Sequence, residues 1–281
     1  MRKISVELIA DAVEKICGTA ACDLPADVRS ALEKCGEKEQ SELGKSFFRQ
    51  YLTNADIAAT ERIPLCQDTG FAVYFVEMGR ELCIEDGTLQ EALDEGTRRG
   101  YKKYFLRKSI VADPLFDRKN SFDNTPCIIH LTQVPGDKLH ITLAPKGGGS
   151  ENMSALKMLK PSEGRAGVVK FVVDSVVNAG GNPCPPTIVG VGIGGTMEYA
   201  CQLAKKALLR PAGTASHDPR YAELEAEILE KINASGVGPQ GLGGSITSLC
   251  CNIEFFPCHL ASLPVAVNLN CHAARHAEVT L

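Results

Sequence analysis

The chain has 281 residues, 44% of them hydrophobic and 23% charged, with a formal net charge of −4. That balance describes a globular protein with a sizeable core and offers no basic face for nucleic acid or an anionic membrane surface. No apolar run is long enough to span a bilayer and no export signal opens the chain, so a cytoplasmic protein without a membrane anchor is expected.

Ile4, Leu8, Ile9, Ala12, Val13 and Ile16 recur on one face, which predicts a helix over 3–17. Pro25 opens a second helix with Val28, Leu32 and Cys35 as its apolar row, and Phe47, Phe48, Tyr51 and Leu52 mark a third. A helical lobe over 1–60 thus leads into Pro64-Leu65-Cys66-Gln67-Asp68-Thr69-Gly70. Proline breaks helix before this stretch and glycine permits a sharp turn after it. The loop would aim a thiolate, an amide and a carboxylate at one point; it fits equally a turn with a half-buried Cys and a capping Asp.

Phe71 to Val76 reads as a strand and Leu89 to Tyr104 as a helix, followed by a long loop over 108–125. Ile128–Leu131 and Leu139–Leu143 flank Pro135-Gly136-Asp137, the pattern of an antiparallel hairpin. Lys146-Gly147-Gly148-Gly149 could crowd backbone N–H groups around an anion, or be a flexible turn. A valine-rich helix is predicted over 163–178, a strand over Thr187–Ile193, a helix from Thr196 to about Leu209, and an amphipathic helix over 219–233. Short strands such as Leu263–Val267 follow a glycine-rich stretch, Gly236 to Gly244. The fold class is α+β in one domain over 1–281, with the mixed sheet and helices in 61–281.

Twelve cysteines in a reducing compartment are buried small hydrophobes or metal ligands rather than disulfides. None has CxxC spacing, and adjacent Cys250 and Cys251 would point to opposite faces of a strand. Cys66, Cys184 and Cys271 stand out by their loop contexts, beside Pro, Gly or polar residues, although nothing in the spacing alone selects these three. Gly190-Val-Gly-Ile-Gly-Gly195 matches a dinucleotide fingerprint but lacks the acidic residue on a second strand, and close helix–strand packing explains its glycines as well.

CQDTG at 66–70, KGGGSEN at 146–152, CPP at 184–186, GIGGT at 192–196, GPQGLGG at 238–244 and PVAVNLNCHAARH at 264–276 resemble iron-sulfur (class I) fumarase. The resemblance runs from about Gly44 to the C-terminus and is closest to the alpha subunit of the two-subunit form; the sister family is the L-tartrate dehydratase alpha subunit. It implies a class I fumarase N-terminal-type fold and a [4Fe-4S] cluster on Cys66, Cys184 and Cys271, with one iron left open. It places substrate contacts on Gln67, Asp68 and Arg107 and at Gly148 or Gly149. Catalytic roles fall on Asp68, which would orient or polarise the proton-transfer group, and on His259, where Cys258 replaces the family's usual arginine.

The implied reaction is reversible hydration of fumarate to (S)-malate. The family's proton-transfer residue lies in a C-terminal half that this chain lacks, which implies a beta subunit and a heterotetramer or higher dimer of alpha–beta pairs. Lys146 before the three glycines and Ser-Glu-Asn after them resemble the fumarase form, whereas Pro161-Ser162-Glu163-Gly164 is shared with the tartrate group. The rivals are a nicotinamide-dependent oxidoreductase and a non-catalytic cluster or zinc scaffold.

Overall fold

The computed structural model describes residues 1–281. The chain opens with β1 (Arg2–Ser5), α1 (Val6–Cys22), α2 (Ala26–Lys38) and α3 (Glu42–Glu61). β2 (Phe71–Gly79), β3 (Leu82–Glu85), α4 (Leu89–Lys103), β4 (Ile128–Val134) and β5 (Leu139–Lys146) follow. Next come α5 (Gly148–Glu151), β6 (Ala155–Leu159), α6 (Gly164–Ala179), β7 (Thr187–Gly194), α7 (Met197–Ala207) and α8 (Pro219–Asn233). β8 (Ser248–Phe256), β9 (Leu263–Asn270) and β10 (Ala277–Thr280) complete an α+β fold. No helix is long and apolar enough to cross a membrane. The elements group into two compact units, residues 1–24, 54–148 and 275–281, and residues 25–53 and 149–274.

In the first unit a four-stranded sheet has the order β10-β5-β2-β4. The expected hairpin of 128–143 does not form, because β2 lies between its two arms, parallel to β4 and antiparallel to β5. Burial decides the order: β2 is buried at most of its positions and takes the centre, while β4 alternates only weakly and takes the edge. A parallel neighbour needs a crossover, and α4 supplies it. α1 packs closely on α4 because Gly96 and Gly100 lack side chains; a Cβ on either would lie 2.5 Å from the Cβ of Val13 or Cys17. A capping box at Thr88 and Glu91 starts α4.

In the second unit the order is β6-β9-β7-β8, with β7 parallel to β8 and antiparallel to β9. Every residue of β7 is buried, so both faces of the strand are covered. Val189, Val191 and Ile193 join Val265, Val267 and Leu269 against the apolar rows of α6 and α8. The other face carries Gly190, Gly192 and Ala266, which lets the backbone of α7 approach. A Cβ at Gly192 would fall 2.0 Å from the Ala200 carbonyl oxygen, and one at Gly190 2.2 Å from that of Ala204. Close packing therefore accounts for the glycines at 190 and 192 of the GxGxxG match.

Candidate active site

In the first unit the loop at 64–70 is tied down at its base. Leu65 donates its N–H to the Ala21 carbonyl at 2.9 Å, and its own carbonyl accepts from Asn54 Nδ2 at 2.8 Å. Cys66 is half-buried, and its Sγ accepts the Asp68 N–H at 3.4 Å. Asp68 is gripped on every side: Oδ1 accepts from the Gly70 N–H at 3.1 Å, Oδ2 from the Gly148 N–H at 2.7 Å, and its carbonyl from Arg275. The Gly148 amide, expected to face substrate, instead orients the Asp68 carboxylate. Gln67 projects into solvent beside Cys66, whose thiol donates to Gln67 Oε1 at 3.4 Å.

Thr69 carries the loop to Arg107, donating its hydroxyl to the Arg107 carbonyl at 2.9 Å. The Arg107 backbone is fixed while its side chain is exposed. Beneath the turn, the Tyr101 hydroxyl lies 2.8 Å from the Thr69 carbonyl and 3.0 Å from that of Gly70. Burial pushes the Tyr101 hydroxyl pKa well up, so it stays a donor. Asn124 bridges the same layer, donating to the Gly70 carbonyl at 3.2 Å and accepting from the Ser109 N–H at 2.8 Å.

In the second unit the pairing of β7 with β9 brings together two cysteines far apart in the chain. Ile188 pairs with Asn270, so Cys184, just before β7, and Cys271, just after β9, emerge at the same end of the sheet. The Cys184 carbonyl accepts from the His272 N–H at 3.3 Å and lies 3.1 Å from His272 Nδ1. Tyr51 stacks on His272 with ring centroids 4.0 Å apart, and its hydroxyl accepts from Gln240 Nε2 at 2.8 Å. Burial pushes the Tyr51 hydroxyl up to about 12; the Gln240 hydrogen bond opposes that, and the nearby Cys184 and Cys271 sulfurs add to it. The Gln240 N–H also donates to the Pro185 carbonyl at 2.8 Å, pinning the turn that presents Cys184.

His259 is placed differently from the expectation. It lies in the β8–β9 connection, where Phe256 pairs with Gly194 at the opposite end of β7. The eight residues of β7, at about 3.3 Å each, lie between it and the Cys184 and Cys271 end of the sheet, roughly 25 Å. There it lines a cavity of about 550 Å³ with Thr196, Glu198, Tyr199 and Cys258. Its Nδ1 accepts from the Ala261 N–H at 3.1 Å, which shapes the turn.

The remaining motif residues have structural work. Glu151 takes Lys205 Nζ at 2.7 Å and Asn268 Nδ2 at 2.9 Å, linking α5, α7 and β9. Gly149 is exposed, and a Cβ there would meet only the Asn182 carbonyl at 3.4 Å. Lys146 is buried at the end of β5.

A family model described as fumarate hydratase (Fumerase) matches residues 10–280. The chain belongs to that family. A Methanocaldococcus jannaschii relative, named "Putative L(+)-tartrate dehydratase subunit alpha", is 44% identical over 274 residues, covering 96% of each chain. An Escherichia coli (strain UTI89) relative, named "L(+)-tartrate dehydratase subunit alpha", is 34% identical over 286 residues, covering 98% of this chain and 93% of its own. The family resemblance drawn from the motifs is thereby borne out, and the chain is of a hydro-lyase type.

The iron-sulfur cluster that the motif resemblance implies can be weighed against the chemistry of the cysteines. No three His, Cys, Asp or Glu side chains converge on a point that would hold a single ion. A cubane cluster makes another demand, since each cysteine binds a separate iron. Burial pushes the thiols of Cys17 and Cys250 up to about 12 and raises those of Cys22, Cys35, Cys127, Cys201 and Cys251 as well, which disfavours them as thiolate ligands. Cys66 and Cys271 are half-buried and Cys184 is exposed, all three on loops. Tyr51, Tyr101, Asn124, Gln240, His272 and Arg275 were not predicted as site residues; Gln240, His272 and Arg275 lie within the quoted motifs, while the other three carry no local signal.

Proposed function

We propose that this chain is the alpha subunit of a two-subunit hydro-lyase that interconverts fumarate and (S)-malate. In this proposal Cys66, Cys184 and Cys271 hold a [4Fe-4S] cluster. The observation that carries it is the β7–β9 register, which delivers two of those thiols to one end of one sheet in a motif-matched member of the family. When bound, a cluster with one iron not held by cysteine supplies a Lewis acid for the hydroxyl group that leaves or arrives. The residues of this chain supply the rest. Arg107 grips a substrate carboxylate through a two-point hydrogen bond. Gln67 reaches substrate from the exposed side of the loop. Asp68, with both oxygens already accepting backbone N–H groups, orients rather than abstracts. Gly149 leaves open space for a carboxylate to approach the backbone.

The relatives are named as alpha subunits and match this chain over nearly their whole length, which supports a separate beta chain carrying the proton-transfer residue. L(+)-tartrate is the second reading, and the relatives' names favour it. Anaerobic co-purification with the beta chain, followed by assays on (S)-malate, fumarate and L(+)-tartrate, separates the two. Turnover of malate with none of tartrate supports the first reading, and the reverse supports the second. Full turnover by the alpha chain alone overturns the two-subunit proposal.

A further inference from the structure

Arg275 is a buried cation without an anion. It is 7% exposed, its Nε has no hydrogen-bond partner, and its guanidinium forms no ion pair. Its hydrogen bond goes to the backbone carbonyl of Asp68, while the Asp68 carboxylate is turned away to the N–H groups of Gly70 and Gly148. The groups around it are poor counter-ions. Cys22 and Tyr101 both feel its charge, yet burial raises both and keeps them neutral. Desolvating a guanidinium without a charge partner costs several kcal/mol, so an arrangement of this kind persists where an anion completes it. Cys66 lies on the same turn, its Sγ bonded to the Asp68 N–H at 3.4 Å, so an anion carried by that sulfur would complete the arrangement.

We infer that Arg275 is a positioning residue that sets a fixed positive charge behind the Cys66–Asp68 turn and balances the thiolate-bound cluster. The inference rests on the cluster proposed above. Cluster potentials respond to net charge nearby, and a positive charge favours the reduced form.

The test uses the anaerobically reconstituted alpha–beta complex with Arg275→Gln and Arg275→Lys. The readouts are the cluster midpoint potential and the rate of iron release to a chelator. Arg275→Gln should make reduction about tenfold less favourable, a shift of about 59 mV to more negative potential for one electron, and should speed iron release. Arg275→Lys, which keeps the charge, should restore the potential. If Arg275→Gln fails to fold, a cluster at wild-type potential in Arg275→Lys still supports the inference, and failure of both variants overturns it in favour of a purely structural hydrogen bond. Equal potentials in wild type and Arg275→Gln overturn the inference alone. A wild-type complex that takes up no cluster overturns the proposed function, and this inference with it.

Discussion

Glu39 offers a quantitative test of how the Cys184 end of the second unit is held. It is 2% exposed, yet its carboxylate faces only backbone donors. Oε1 accepts from Ser41 at 2.8 Å and Ser245 at 3.0 Å, and Oε2 from Ser245 at 3.1 Å and Ile246 at 2.9 Å. These bonds clamp the glycine-rich segment that carries Gln240, which in turn pins the Cys184 turn. Glu39→Gln keeps the shape but turns an NH2 group towards Ile246. One buried N–H then loses its acceptor, at about 1–3 kcal/mol, and the other two bonds lose charge assistance, at about 1 kcal/mol each. We expect a loss of about 3–5 kcal/mol, read as a lower midpoint in urea with an unchanged slope. Burial raises the Glu39 pKa, but the backbone bonds from Ser245, Ser41, Ile246 and Gln40 outweigh it and the net shift is downward from 4.5. A lowered folded-state pKa gives stability that is present above the unfolded value and is lost as pH falls through the folded one. The gap between wild type and Glu39→Gln should therefore narrow as pH falls below about 4.5. A loss under about 1 kcal/mol at pH 7, or a gap that does not narrow in acid, refutes this account of the clamp.

Three further outcomes are expected. Alanine at Cys66, Cys184 or Cys271 should cut bound iron and sulfide sharply, whereas Cys258→Ser should leave both at wild-type levels; anaerobic metal analysis checks this. Gly192→Ala should destabilise by about 3 kcal/mol in denaturant titrations, because its Cβ would overlap the Ala200 carbonyl and α7 would have to move. Arg107→Ala should raise KM for the dicarboxylate roughly 30- to 150-fold, the loss of about 2–3 kcal/mol of charge-assisted hydrogen bonding, with a smaller change in kcat.

Helices with clear apolar periodicity, such as α1, α6 and α8, were legible in the sequence because their faces bury one stripe each. The order of strands was not. Residues 128–143 carry a good local hairpin pattern, but β2, which precedes them in the chain, is more apolar and displaces one arm from the other. β8 and β9 exceeded the short strands expected of that region, since their flanking glycines and prolines mask strands of nine and eight residues. The three loop cysteines and Asp68 could be picked out through motifs. Arg275 could not, because its importance lies in the carboxylates that fail to face it, and a sequence does not show an absence of that kind. His259 shows the converse: it keeps its place in the motif order while the sheet carries it to the far edge.

The neighbouring positions of β7 and β9 have an evolutionary corollary. The chain between them, including α7, α8 and β8, leaves this end of the sheet and returns to touch it through Gln240. Homologues could lengthen, trim or decorate that excursion at its distal turns while Cys184 and Cys271 keep their places, so sequence there is free to drift without disturbing the pair.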